Sequence, residues 1–217
     1  MSFHERLQRD TAAARAGLVS APVIQRALAG DITRELYLAF LGQAYHHVRH
    51  TVPLLMATGA RLPAHLGWLR HEIHHYLEEE EGHDEWILAD IRNAGGDAAA
   101  AARAAPQVAT DALVGYAWDV VNRRNPVGMF GMVFVLEGTS VALALQAADQ
   151  IQRSLSLPAN AMVYLRSHGQ LDQQHIQHLA GILDRLDREE DRQAVLDCAH
   201  TVFWLYGSLF RGLERAA

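Results

Sequence analysis

Three side chains able to hold a metal ion stand close together in His168-Gly-Gln-Leu-Asp172-Gln-Gln-His175. On an α-helix, steps of four and then three residues at about 100° per residue place all three within an arc of roughly 60°. One helix face then presents two imidazoles and a carboxylate. A solvated face can carry the same residues with no metal at all. The ligands that complete a site must therefore come from elsewhere in the chain.

Glu137 is the first of these. It is the only charged residue between Arg124 and Asp149, within Met132-Val-Phe-Val-Leu-Glu-Gly-Thr-Ser-Val-Ala-Leu. A helix apolar on all sides is buried, and a buried carboxylate must find a partner or take up a proton. An ion pair or a hydrogen bond to Tyr or Trp would answer this. A cation shared with the His/Asp face answers it more simply. Gly128, Gly131 and Gly138 leave room for neighbouring helices to approach.

The remaining contribution lies in His71-Glu-Ile-His74-His75-Tyr-Leu-Glu78-Glu79-Glu80-Glu81-Gly-His83-Asp-Glu-Trp86. Four consecutive helical residues span about 300° of the circumference, so at least one of these glutamates faces inward. Glu79 precedes His83 by four residues and Glu80 by three; either pair can converge on one ion, and the second has the spacing found in carboxylate-bridged di-iron bundles. Glu79 with His83 is the preferred pair, with Glu80 as the alternate.

Collected, the candidate ligands are Glu79, His83, Glu137, His168, Asp172 and His175. Three carboxylates and three imidazoles suit iron or manganese, and a thiolate-free set with open positions is how non-heme iron meets O₂. The imidazoles disfavour calcium, while zinc stays open. Two divalent cations would exceed the three carboxylate charges by one, leaving room for a substrate anion or hydroxide. In Tyr45-His46-His47-Val-Arg-His50, His46 and His50 share a face with no carboxylate on that turn. This cluster is read as lining a substrate cavity or pairing with buried carboxylates. His71 and His75 are read as supporting or surface groups, and Tyr76, Trp86, Trp204 and Tyr206 as core.

The elements that must position these residues read as helices throughout. Ser2 and Glu5 form a capping box opening a first helix to about Val19. Pro22 starts a second that ends near Gly30, and Asp31 or Thr33 opens a third that Pro53 kinks or breaks. A helix from near Pro63 continues to Asn93 and stops at Gly95-Gly96. Residues 97–105 suit a loop, and Pro106 to Arg124 a helix. Asn125-Pro126 opens a long apolar helix to about Leu155. After Leu157-Pro158 comes the segment bearing His168, with Gly169 a candidate kink. Asp187-Arg-Glu-Glu190 caps a last helix to about Leu213. No alternating β-branched run calls for a sheet. The expectation is all-α, one domain over residues 1–217, with seven or eight helices packed as a bundle.

The 217 residues are half hydrophobic and 20% charged, enough for a sizeable core. Nineteen basic against 25 acidic side chains give a net charge of −6 with no basic run, which argues against nucleic-acid or anionic-membrane partners and for a small-molecule substrate. No signal-peptide pattern and no convincing membrane span are present. With a single cysteine, Cys198, unable to form an internal disulfide, the expected location is cytoplasmic.

The Tyr45–His50 helix, the Glu-Glu-Glu-Glu-Gly-His83 stretch, the Leu-Glu137-Gly-Thr segment and the His168/Asp172/His175 triad together resemble the heme-oxygenase-like di-iron oxidases. These belong to one structural superfamily with the TenA-type thiaminases and the cofactor-less oxidase PqqC. The resemblance covers nearly the whole chain. In some members the histidine follows its glutamate by about seven residues, and here that position, counted from Glu79, is Trp86. The resemblance implies a helical bundle holding two irons per chain, with O₂ as co-substrate, acting on a small organic substrate, and a homodimer. The rival expectations are a TenA-like thiamin or aminopyrimidine hydrolase, which would use a cysteine such as Cys198; a heme oxygenase, which would use His4; and a non-catalytic bundle with a structural metal.

Overall fold

Helix starts along the chain follow local signals for the most part. The computed structural model describes residues 1–214, with the side chains of residues 171–174 outside the described set. Its helices are α1 (Phe3–Asp10), α2 (Ala12–Val19), α3 (Pro22–Ala29), α4 (Arg34–Val48), α5 (Thr51–Arg61), α6 (Leu69–Glu80), α7 (His83–Asn93), α8 (Ala98–Arg103), α9 (Val108–Arg123), α10 (Met129–Leu155), α11 (Val163–Asp184) and α12 (Glu189–Leu213). Among the described residues there is no strand. The Ser2/Glu5 capping box closes in both directions, at 3.2 and 2.9 Å. Pro22 is the first residue of α3, and Gly30 ends it at φ 75°. Of the two candidates for opening α4, Thr33 accepts from the Leu36 N–H.

Several expected boundaries move, each for a local reason. The first helix divides at Thr11, whose buried hydroxyl donates back to the Leu7 carbonyl at 2.7 Å and competes with the helical ladder. Pro53 lies within the first turn of α5, and the break falls at Arg49 and His50, whose carbonyls precede the missing proline N–H. The 97–105 stretch contains a helix after all, because Asp97 caps the Ala100 N–H at 2.9 Å and alanine propensity does the rest. The last helix begins at Glu189 with no side-chain cap from Asp187; Glu189, Glu190 and Asp191 complement its dipole instead. Helix α11 runs through Gly169 unbroken. Trp204 faces outward, 67% exposed.

The boundary that matters most lies between α6 and α7. One helix is expected from Pro63 to Asn93, but Gly82 adopts φ 84°, a left-handed conformation open to glycine, and the helix stops at Glu80. Four successive glutamates at a helix C-terminus repel one another and the negative end of the dipole, so ending the helix there relieves both. His83 then starts a new helix rather than continuing the old one.

Helix α10 is the axis of the bundle. Its Gly131 sits so close to α12 that a methyl group there would collide with the Val195 carbonyl oxygen and approach the Ala199 nitrogen to 2.8 Å. Phe134 meets Phe203 further along, so the two helices run in parallel. Helix α11 returns antiparallel: Gly169 lies against Leu145, and Arg166 reaches Asp149 and Gln152 at 2.7 Å. The segment Pro126–Leu155 is long and apolar enough to cross a membrane by length and composition alone, yet its most apolar window is 61% buried inside the bundle. One continuous cluster of buried apolar side chains extends from Phe3 to Leu213.

Candidate metal centre

Four helices bring the candidate ligands together. Glu80 ends α6, His83 starts α7, Glu137 lies mid-way along α10, and His168 and His175 lie on α11. The ligand atoms of Glu80, His83 and His168 all fall within 4.8 Å of one another. Atoms on opposite sides of a cation bound at roughly 2.1 Å stand roughly 4.2 Å apart, so a small contraction would close this set on an ion. Beside it, the His175 ring spans two carboxylates, with Nε2 3.0 Å from Glu79 and Nδ1 3.8 Å from Glu137. Of the two glutamates left open by the sequence, Glu80 joins the His83/His168 group and Glu79 touches His175. Asp172 falls among the residues whose side chains lie outside the described set.

The groups are deeply placed: His83, His175 and Glu137 are all buried, and the Glu80 side chain is 10% exposed against 31% for Glu79. Burial by itself would raise the Glu80 carboxyl. The hydrogen bond from His83 at 3.0 Å and the charges of His83, His168 and His175 nonetheless hold it below its ordinary value. Glu80 therefore senses imidazoles from both halves of the site. His168 Nδ1 lies 3.1 Å from the Tyr164 carbonyl; with the proton on Nδ1 donated there, Nε2 carries the ring's lone pair. Aromatic rings wall the site, Trp86 at 4.1 Å and His168 at 4.7 Å from the His83 ring, and Tyr164 at 4.6 Å from His168.

Two supporting residues were not singled out by sequence. Asp90 of α7 is fully buried and accepts the Val163 and Tyr164 N–H groups at 3.0 and 2.8 Å, capping α11 across the fold. This ties the helix of His83 to the helix of His168. A capping aspartate on a different helix leaves no local pattern to find. Tyr164 acts through its carbonyl, which any residue could supply.

A cavity opens beside the cluster. Glu80, Glu137, His168 and His47 reach into it, and apolar side chains of α3, α10 and α12 form most of its wall. His46 and His50 turn away, toward a surface depression with Arg49 and Arg103, and His50 accepts from the Trp118 indole at 3.3 Å. Cys198 is buried between α12 and α10, outside the cavity wall, and burial pushes its thiol up to about 12. His4 packs its ring against Phe134 at 6.1 Å, also outside that wall.

The course of the chain defines a heme oxygenase-like fold. It superimposes on a domain of unknown function with that fold from Shewanella denitrificans OS217 (TM-score 0.87, 22% identity, 100% of this chain and 93% of that one). It also matches a TenA homologue from P. horikoshii OT3 (TM-score 0.82, 11% identity, 100% of both chains) and the heme oxygenase from Leptospira interrogans (TM-score 0.77, 17% identity, 98% and 100%). No curated protein matches this sequence. Residues 38–207 match the family of iron-containing redox enzymes, and the chain belongs to that family. The matched span includes every candidate ligand.

Proposed function

We propose that the chain is a non-heme di-iron oxidase that uses O₂ to oxidise a small organic molecule, with Glu80, His83, Glu137, His168, Asp172 and His175 holding two irons. The observation that carries this reading is the approach of Glu80, His83 and His168 within 4.8 Å, beside the buried pair of His175 and Glu137. An apolar helix has no use for a lone carboxylate at position 137 unless a cation or a cationic group meets it. The mixed oxygen and nitrogen donors suit iron, in keeping with the family. Burial and distance favour Glu80 over Glu79 as the ligand.

Reduced iron bound there would supply O₂ binding and electrons; the protein's part is to hold and insulate. The Tyr164 carbonyl fixes the tautomer of His168, and Glu79 does the same for His175, so each ring presents its second nitrogen in a set orientation. Trp86, Tyr164 and the apolar wall of the cavity keep water from the site. A cysteine-dependent hydrolase is not favoured, because the Cys198 thiol is buried, away from the cavity and held protonated.

The test is anaerobic loading with Fe(II), metal analysis, and then O₂ uptake. Two irons per chain and O₂ consumption dependent on added Fe(II) are expected. Fewer than one iron per chain, or uptake indifferent to iron, overturns the proposal.

A further inference from the structure

One wall of the cavity is a stripe of α10. Met129, Met132, Val133, Leu136, Leu143 and Ile151 belong to it, repeating at helical spacing on both sides of Glu137. From Glu137 to Ile151 the helix rises about 21 Å at 1.5 Å per residue. Along this arm the described side chains contributed by α3 and by the end of α12 are apolar, among them Val23, Ala27, Leu28, Phe210 and Leu213. Among the described residues no lysine or arginine lines the cavity.

Two polar side chains at the metal end have no protein partner among the described residues. Neither ring nitrogen of His47 is hydrogen-bonded, and neither is the Ser140 hydroxyl. His47 is 3% exposed, its ring packed edge-on against Tyr206 at 5.7 Å. Ser140 stands one turn beyond Glu137 on the same face of α10. Leaving a buried imidazole unpaired is costly to the folded protein, and a phenylalanine would fill the space without that cost. Burial, with the charges of His168, His50 and His46, lowers the His47 pKa to about 3, so the ring is neutral, one nitrogen donating and the other accepting.

We propose that the cavity binds an unbranched, predominantly aliphatic substrate along α10, its chain pointing toward Ile151 and its polar headgroup hydrogen-bonded by His47 and Ser140 beside the metal ligands. This deepens the proposed function and rests on it only for the reacting end of the molecule. The walls select chain length, and His47 and Ser140 select a group that both gives and accepts hydrogen bonds. An alcohol has that chemistry, whereas a carboxylate, ionised at neutral pH, only accepts.

The test is calorimetric titration of the metal-free protein with hexanol, octanol and decanol, and with the matching carboxylates. Affinity is expected to rise about fourfold per added methylene. Ala147→Phe, at the far end of the arm, should abolish the gain from octanol to decanol while sparing hexanol. His47→Phe should weaken every member by about fivefold to tenfold without changing the dependence on length. A carboxylate series that binds only after iron loading, beside an alcohol series that binds without it, assigns the acid headgroup to the metal and keeps the chain site. Affinity flat with chain length, or equal losses for hexanol and decanol in Ala147→Phe, overturns the chain site. Unchanged affinity in a folded His47→Phe protein overturns the headgroup assignment. Iron content measured on the same preparations reports separately on the di-iron reading.

Discussion

At the scale of single residues, the two adjacent glutamates Glu79 and Glu80 divide the work of the site. Glu80 is grouped with His83 and His168, whereas Glu79 orients His175 from a half-exposed position and also meets His75 at 3.4 Å. Replacing a ligand removes an ion, while replacing a partner that orients one only weakens its hold. Glu80→Gln should therefore cut iron content by half or more, and Glu79→Gln should keep the stoichiometry but lower metal affinity about tenfold, both read by metal titration. His47 carries a second prediction. Its folded pKa of about 3 lies below the ordinary histidine value of 6.5, so the unfolded chain takes up a proton that the native protein refuses. The contribution is intact above pH 6.5 and is lost as pH falls toward 3, at about 1.4 kcal/mol per pH unit. Unfolding free energies of His47→Phe from urea titrations should fall less steeply with acid than those of the parent by about that slope, with stability at neutral pH equal or higher. An identical slope would show that His47 is protonated in the native state.

Elements matter here through where they stop and how closely they pack. The left-handed Gly82 ends α6 and sets the angle from which α7 delivers His83. No atom lies within 4 Å of a methyl group placed there, so Gly82→Ala isolates backbone strain from crowding. The expected cost is about 1–2 kcal/mol, a fall in Tm of about 2–8 °C, with weaker iron binding because the His83 turn is re-aimed. Gly131 is the opposite case. Gly131→Ala forces α10 and α12 apart and should cost about 3 kcal/mol, whereas Gly138→Ala on the same helix meets nothing within 4 Å and should be neutral or stabilising by up to about 1 kcal/mol. Denaturant unfolding of the pair measures both. Helix starts at Ser2, Pro22 and Thr33 were readable because caps act within one turn. The break at Gly82 was not, since a glycine within a helical pattern reads equally as an interior residue or a terminus.

For the whole molecule, the site joins four helices, the consecutive α6 and α7 with α10 and α11 further along the chain, so metal should act as a cross-link of the bundle. An ion that binds the folded chain alone stabilises it by about 2.7 kcal/mol at a hundred times its Kd. Fe(II) under anaerobic conditions should thus raise Tm by about 5–11 °C, reversed by a chelator and absent in Glu137→Gln. Scanning calorimetry with and without iron decides it. Equal midpoints would mean the donors close on no ion. Asp90, which pins the start of α11 to α7, couples this cross-link to the fold, and in its absence His83 and His168 would no longer be held to one register.

The linear order of residues was enough to determine that the chain is helical, that a carboxylate lies buried at position 137, and that His168 and His175 share a helix face. All three follow from periodicity and composition within one element, where each residue's neighbours are its neighbours in sequence. Tertiary structure alone decided which glutamate faces His83, that His47 rather than His46 or His50 looks into the cavity, and that Cys198 is sealed between helices. Those outcomes depend on the rotation of one helix against another, set by a left-handed turn at Gly82 and by contacts such as Gly131 on Val195 that join residues more than sixty positions apart. Spacing along a single helix carries no record of either.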